Sequence, residues 1–165
     1  MKQPISICWI RRDLRLEDNA ALYHALKSAQ PVLLLFVFDV NILDKLQDKA
    51  DARLTFIYET LLKIQQQLVQ HRTTLLVKYQ TPEKAWTEVL ATYDVKAVYT
   101  NRDNEPYAIA RDQSVAQLLQ QSGIGFYTFK DQVIFDKNEV LKADGKPYTV
   151  FTPYFNVWRK KLNEF

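Results

Sequence analysis

Ile5-Ser6-Ile7-Cys8-Trp9-Ile10 is almost unbroken in its hydrophobicity and gives way at once to Arg11-Arg12-Asp13. A strand with one wet face alternates apolar and polar residues, whereas a strand covered by helices on both faces has no polar side to show. The opening run is therefore read as a buried strand of a parallel sheet. Val32 to Phe38, Thr74 to Lys78 and Ala97 to Tyr99 have the same character, and Phe126 to Phe129 is a weaker fifth candidate.

Amphipathic stretches separate these runs. Leu54, Ile57, Tyr58, Leu61, Gln65 and Leu68 recur at three and four residues, the spacing of one helical stripe. Asn19 to Ser28, Pro82 to Thr92 and Pro106 to Ser122 read the same way, with Asp18, Thr81 and Asn104 or Glu105 placed to cap or open them. Pro82 suits a first helical turn. This alternation predicts an α/β fold: a doubly wound five-stranded parallel sheet, Rossmann-like, with helices on both faces and right-handed crossovers. The alternation stops after Phe129. Residues 1–130 are expected to form the α/β domain, and residues 131–165, with Asp144-Gly145, Pro147 and Pro153, an extended segment running into a linker.

Composition narrows the function classes. The chain has 165 residues, 47% hydrophobic and 25% charged, the balance of an ordinary globular domain. A net charge of +3 is too small to bind nucleic acid by counterion release alone, and Arg159, Lys160 and Lys161 read as a solvated linker. Cys8 lies in an apolar run and has no partner in the chain, which fits a buried structural thiol in a reducing, cytoplasmic setting. Three glycines leave no glycine-rich phosphate loop. His24 and His71 sit in separate helical patterns without metal-ligand spacing. No nucleophile setting is visible, so hydrolysis by this domain is not expected. The apolar stretch Pro31 to Phe38 is too short to span a bilayer, and no membrane partner is expected. The chain is expected to be monomeric.

Ligands of open α/β sheets bind beyond the carboxyl ends of the strands, where the winding reverses. Three clusters fall there: Arg11-Arg12-Asp13, Phe36-Val37-Phe38-Asp39, and Asn101-Arg102-Asp103-Asn104-Glu105. Each has an ordinary structural account. Arg11 to Asp18 could be a solvated turn with weak ion pairs, Phe36 and Phe38 could be core, and Asp39, Asp103 and Glu105 could cap helices. The functional account is a pocket in which acids, an arginine and aromatic rings hold a planar, nucleotide-like or flavin-like heterocycle by its edge and face.

The run Trp9-Ile10-Arg11-Arg12-Asp13-Leu14-Arg15-Leu16-Glu17-Asp18-Asn19 resembles the opening of DNA photolyases and cryptochromes, in which a strand runs into R-x-D-L-R-x-x-D-N. Asn104-Glu105-Pro106-Tyr107 with Arg111-Asp112 is similar to the E-P-Y-x-x-x-R-D helix start of that family. Asp144 to Tyr154 is similar to its G-x-x-Y-x-V-[FY]-[TG]-P-[FY] stretch, followed by Trp158 and basic residues.

The resemblance implies the N-terminal light-harvesting domain of a deoxyribodipyrimidine photolyase, which repairs cyclobutane pyrimidine dimers in DNA with light. It also implies that the helical domain holding FAD is absent, so the chain alone would not be catalytic. The implied partners are that FAD-binding helical domain and, through the full-length protein, damaged DNA. The positions matching the antenna pocket are Arg12, Phe36, Asp39, Arg53, Asp103 and Glu105. In that role the carboxylates would accept hydrogen bonds from ring N–H or hydroxyl groups, Arg12 and Arg53 would meet carbonyl or phosphate oxygens, and Phe36 would pack on the ring. Folate-binding members carry Asn-Glu where Tyr107-Ala108 stand here, which favours deazaflavin or FMN as antenna, with an empty pocket still open. Two other readings stand beside this one: a cryptochrome photoreceptor fragment, and a free-standing nucleotide-binding domain of universal-stress or electron-transfer-flavoprotein type.

Overall fold

The computed structural model describes residues 2–48 and 51–164. The chain divides into two compact units, Met1–Asp131 and Gln132–Phe165.

In the first unit, five strands form one sheet: β1 (Pro4–Trp9), β2 (Val32–Asp39), β3 (Leu75–Gln80), β4 (Asp94–Asn101) and β5 (Gly125–Phe129). They lie in the order β3-β2-β1-β4-β5, and every neighbouring pair is parallel. This is the expected doubly wound sheet, with β1 at its centre. The helices of this unit are α1 (Ala20–Leu26), the single turn α2 (Val40–Leu43), α3 (Ala52–Gln70), α4 (Pro82–Thr92) and α5 (Pro106–Gln121).

Both sheet faces are apolar because alternate strand residues feed two separate cores. Ile7, Trp9, Leu35, Val37 and Val98 pack with Trp86 and Val89 of α4 and with Val115 and Leu119 of α5. Cys8, Ile10, Leu34 and Phe36 pack with Ala21, Leu22 and Ala25 of α1 and with Leu61, Ile64 and Leu68 of α3. Each fully buried aliphatic side chain contributes about 1.5–3 kcal/mol. Burial pushes the Cys8 thiol well above its ordinary pKa, so it stays protonated and behaves as a small hydrophobe.

The helix caps refine the sequence reading. Asn19, not Asp18, caps α1 by accepting from the Leu22 N–H at 3.1 Å, while Asp18 turns through a positive φ of 48° just before it. Thr81 caps α4 through the Lys84 N–H at 3.4 Å, with Pro82 in the first turn. β4 extends beyond the apolar Ala97 to Tyr99 to include Thr100 and Asn101, polar residues that are nonetheless buried.

That burial is explained by a polar knot at the carboxyl ends of β1 and β4. Asp13, only 4% exposed, accepts hydrogen bonds from the Arg11 N–H at 2.7 Å, Asn101 Nδ2 at 2.6 Å and Asn19 Nδ2 at 3.1 Å. Asn101 also donates to Asn19 Oδ1 at 2.9 Å and accepts from the Ala21 N–H at 2.9 Å. The expectation that Arg11 to Asp18 forms a solvated turn therefore fails at Asp13. Its carboxylate has enough fixed donors around it to leave water.

In the second unit, a 3₁₀ turn (Lys137–Glu139) precedes α6 (Phe151–Asn163). The sequence reading expected extended chain across residues 151–163, and the structure has a helix. Pro153 does not break the chain's helicity: it sits in the first turn of α6, where a missing N–H costs no intrahelical bond. Arg159, Lys160 and Lys161 accordingly lie on the last part of this helix, not in a linker. Lys161 Nζ donates to the Glu139 carbonyl at 2.5 Å and lies 5.3 Å from the Phe135 ring centroid. Phe135 meets Trp158 edge-on, with centroids 5.8 Å apart.

Replacing Asn101 by Ala removes two donated hydrogen bonds and one acceptor and strands part of the buried Asp13 carboxylate. The expected loss is about 3 kcal/mol, read as a lower urea midpoint at unchanged slope; a loss under about 1 kcal/mol would show that the knot is incidental.

Candidate functional site

β1 and β4 are neighbours, but the chain reaches β4 only after passing through β2 and β3 on the other side of β1. The connections from β1 and β4 thus depart in opposite directions and open a crevice above their carboxyl ends. A cleft of about 710 Å³ lies there, a size suited to a small cofactor. Phe36, Phe38 and Asp39 of β2, Phe56 and Ile57 of α3, and Leu14 form part of its wall. Phe36 and Phe38 meet edge-on with centroids 4.9 Å apart. Trp9, Arg11, Arg12 and Glu105 approach from the β1 and β4 side, together with Arg111 of α5.

The six positions singled out from sequence are not equivalent. Arg12 and Glu105 meet across the crevice, Nη1 donating to Oε1 at 2.5 Å, and Asp103 Oδ2 lies 3.5 Å from the same nitrogen. The hydrogen bond that Arg12 donates to Glu105 is the leading cause that raises the Arg12 pKa. Asp103 also accepts from the Glu105 N–H at 3.2 Å, so it turns the chain into α5 and supports Arg12 at once. Glu105 occupies the cap position of α5 but makes no side-chain cap bond; its carboxylate is given to Arg12.

Asp39 is both a cap and a cleft residue. It accepts from the Asn41 N–H at 3.0 Å and from the Tyr107 hydroxyl at 2.5 Å, and it is buried. Phe36 belongs to the core and to the cleft wall. Asp103 is not among the residues that line the cleft, whereas Arg53 is. The Arg53 side chain is 76% exposed and grips Asp51, the cap of its own helix, through Nε at 2.9 Å and Nη2 at 2.5 Å. That grip holds the Asp51 carboxyl at about 2.

Arg111, quoted from the sequence only as part of a helix-start motif, also lines the cleft. Tyr107 and Arg111 are one helical turn apart on α5, an i,i+4 pair whose shared face could have been read from the spacing. Arg111 and Arg11 both bind Asp112 Oδ1, Arg111 through Nε at 3.1 Å and Nη2 at 3.0 Å. Arg11 also donates to the Asn101 carbonyl. Burial is the leading cause that pushes the Arg11 pKa below its ordinary value, with repulsion from Arg111 next. Both guanidiniums lie near Trp9, at 4.9 and 5.1 Å from the ring centroid. Among the described residues no cluster of His, Cys, Asp and Glu could hold a metal, and no helix is long and apolar enough to cross a membrane.

The DNA photolyase family model matches residues 6–164. A deoxyribodipyrimidine photo-lyase of Synechococcus sp. is 34% identical over 96% of this chain and 32% of its own length. Among solved structures, a class III photolyase from Agrobacterium tumefaciens superposes with a TM-score of 0.81 at 23% identity, over 96% of this chain and 32% of the other. A photolyase from Sulfolobus tokodaii gives a TM-score of 0.76 at 27% identity, over 92% of this chain and 33% of the other. The fold and cleft define an α/β domain of the doubly wound type with a crevice at its switch point. The chain belongs to the DNA photolyase family and corresponds to the N-terminal domain of its members. It spans about a third of the length of these photolyases.

Burial raises the Tyr107 hydroxyl to about 12, and its hydrogen bond to Asp39 acts in the same direction. A raised folded-state pKa contributes stability that is present below pH 10, the ordinary value, and lost as pH climbs through 12. Tyr107→Phe should flatten the fall in denaturant midpoint across that window and remove one late-titrating phenol from the ultraviolet titration. An unchanged late phase would place that phenol elsewhere.

Proposed function

We propose that this domain is the light-harvesting module of a photolyase and that its cleft holds a flavin-type antenna pigment, deazaflavin or FMN. The observation that carries this is the apolar-walled cleft of about 710 Å³ at the switch point, edged by Arg12, Asp39 and Glu105. The donor set suits such a ring. An imide edge presents carbonyl, N–H and carbonyl in a row; Arg12 offers donors to the carbonyls, and a carboxylate beside it accepts from the N–H. Phe36 and Phe38 supply the flat apolar contact that fixes the plane. When bound, the pigment supplies absorption of near-ultraviolet or blue light.

Everything else asked of the chain is positioning, because energy transfer depends on separation and orientation. Asp39 cannot swing freely, since the Asn41 N–H and the Tyr107 hydroxyl hold both its oxygens. Folate is disfavoured: Tyr107 commits its hydroxyl to Asp39, and Ala108 offers no side-chain polar group. Arg53, engaged with Asp51, is a rim residue that would have to exchange partners to meet a ligand. The Sulfolobus photolyase is described as holding two FAD molecules, with the implication of a novel light-harvesting cofactor, which supports a flavin-type occupant here. In the whole protein, an FAD-binding helical domain would accept the energy and repair cyclobutane pyrimidine dimers in DNA.

The test is pigment retention. The protein is incubated separately with FMN, 8-hydroxy-5-deazariboflavin and a methenyl folate, then desalted, and its absorbance read. A flavin-type spectrum should persist and the folate spectrum should not; folate retained alone would overturn the assignment. Arg12→Ala, at a side chain 57% exposed, should leave the fold intact and lower pigment affinity by about tenfold, the worth of one charge-assisted hydrogen bond. Undiminished affinity would take Arg12 out of the site.

A further inference from the structure

Trp9 ends β1 in the wall of the cleft and is 2% exposed. Arg11 and Arg111 place two guanidinium carbons about its ring, at 4.9 and 5.1 Å from the centroid. These two cations share a single carboxylate oxygen, Asp112 Oδ1. The next carboxylate, Asp13, engages Arg11 through the main-chain N–H and is otherwise held by asparagines. Trp86 meets Trp9 edge-on, with centroids 5.5 Å apart. Both indole nitrogens are buried, and neither Nε1 has a hydrogen-bond partner. A buried indole N–H normally finds an acceptor, so two unsatisfied ones, one on a tryptophan of the cleft wall and one on its core neighbour, require a physical reason.

Photochemistry supplies one. An indole beside a photo-excited flavin-type ring readily gives it one electron, which leaves the indole a radical cation and the ring reduced by one electron. Return of that electron dissipates the absorbed energy as heat. A pigment that must hand its excitation on has to be spared this loss. Here the radical cation would form about 5 Å from two guanidiniums that share one carboxylate, a group with one net positive charge, in a site where Coulomb repulsion is far stronger than in water. Its other way forward, loss of the Nε1 proton to a neighbouring acceptor, is closed as well.

We propose that Arg11 and Arg111, together with an indole N–H that faces no acceptor, insulate Trp9 against one-electron oxidation and so preserve the excited state of a pigment bound in the cleft. This rests on the pigment reading above. It assigns a function to Arg11, Arg111 and the unsatisfied indoles that ligand binding alone does not require.

The measurement is the fluorescence lifetime of FMN bound to the protein, with bound and free dye separated by equilibrium dialysis. Trp9→Phe alone should leave the lifetime unchanged, because Trp9 is already silent. Arg111→Met leaves Arg11 and Asp112 as a balanced pair, and it should shorten the lifetime by about threefold or more through release of the Trp9 donor. Arg111→Lys should keep the long lifetime, and Trp9→Phe in the Arg111→Met background should restore it. A lifetime that lengthens severalfold in Trp9→Phe, with both arginines in place, would mean that Trp9 quenches in the native protein and would overturn the insulation. An unaltered lifetime in Arg111→Met with FMN still bound would do the same and leave the pigment reading standing. Failure of the native protein to retain FMN at all would overturn both.

Discussion

The structure turns on one buried carboxylate. Asp13 lies where β1 ends, and its hydrogen bonds to the Arg11 N–H, Asn19 and Asn101 tie the end of the central strand to the start of α1 and to the end of β4. An ionised group survives in such a place only when donors converge on it, and convergence fixes the geometry of everything that supplies them. With the main chain pinned at Arg11, two successive arginines are sent to different elements. Arg11 reaches Asp112 on α5, and Arg12 reaches Glu105 at that helix's beginning. One anion thus sets both the floor of the cleft and its edge.

The charges around the cleft fall into two classes that differ in what they can do. The Arg11, Arg111 and Asp112 group has side chains only 9%, 9% and 15% exposed, so removing one member strands the others in a poor solvent. Arg12 with Glu105 and Arg53 with Asp51 are solvated pairs worth little to stability, and each can be exchanged for a contact to a ligand at small cost. A fixed interior with an exchangeable rim is what a binding site needs when the bound ring must be held at one angle. The tight Asp39 and Tyr107 contact belongs with the fixed class, although the phenol ring itself is only half-buried.

Most of the sheet was legible because both its faces are covered, which leaves strands such as Val32 to Phe38 without polar punctuation. Legibility failed where tertiary contacts override composition. Thr100 and Asn101 look like loop residues, yet they lie in β4, Thr100 bonded to the Trp9 carbonyl and Asn101 to the Asp13 knot. α6 was obscured by Pro153, whose meaning depends on whether it stands first or fifth in a helix. Within the site, Arg12, Asp103 and Glu105 could be placed together because their strands end at the same level. Arg53 could not be judged, since the choice between the cleft and Asp51 is a matter of rotamer. Trp9 was hidden for a different reason: at a strand end a core tryptophan and a cleft tryptophan have the same sequence context.

The rigidity of the cleft comes from where its wall residues lie in the fold. Phe36 and Trp9 each serve two purposes, since each fills one of the two cores and also faces the cleft. A wall made of core residues cannot move without unpacking the sheet, so the orientation of whatever lies against it is inherited from the fold itself. Trp9 contributes large apolar area to that wall and is backed by Trp86 in the core, but indoles carry an electronic liability beside an absorbing ring. Arginines about the ring and silence at the indole nitrogens answer that liability without giving up the packing. Phenylalanine at position 9 would avoid it more simply, but it would forfeit the indole surface that Arg11 and Arg111 lie against in the closely packed floor.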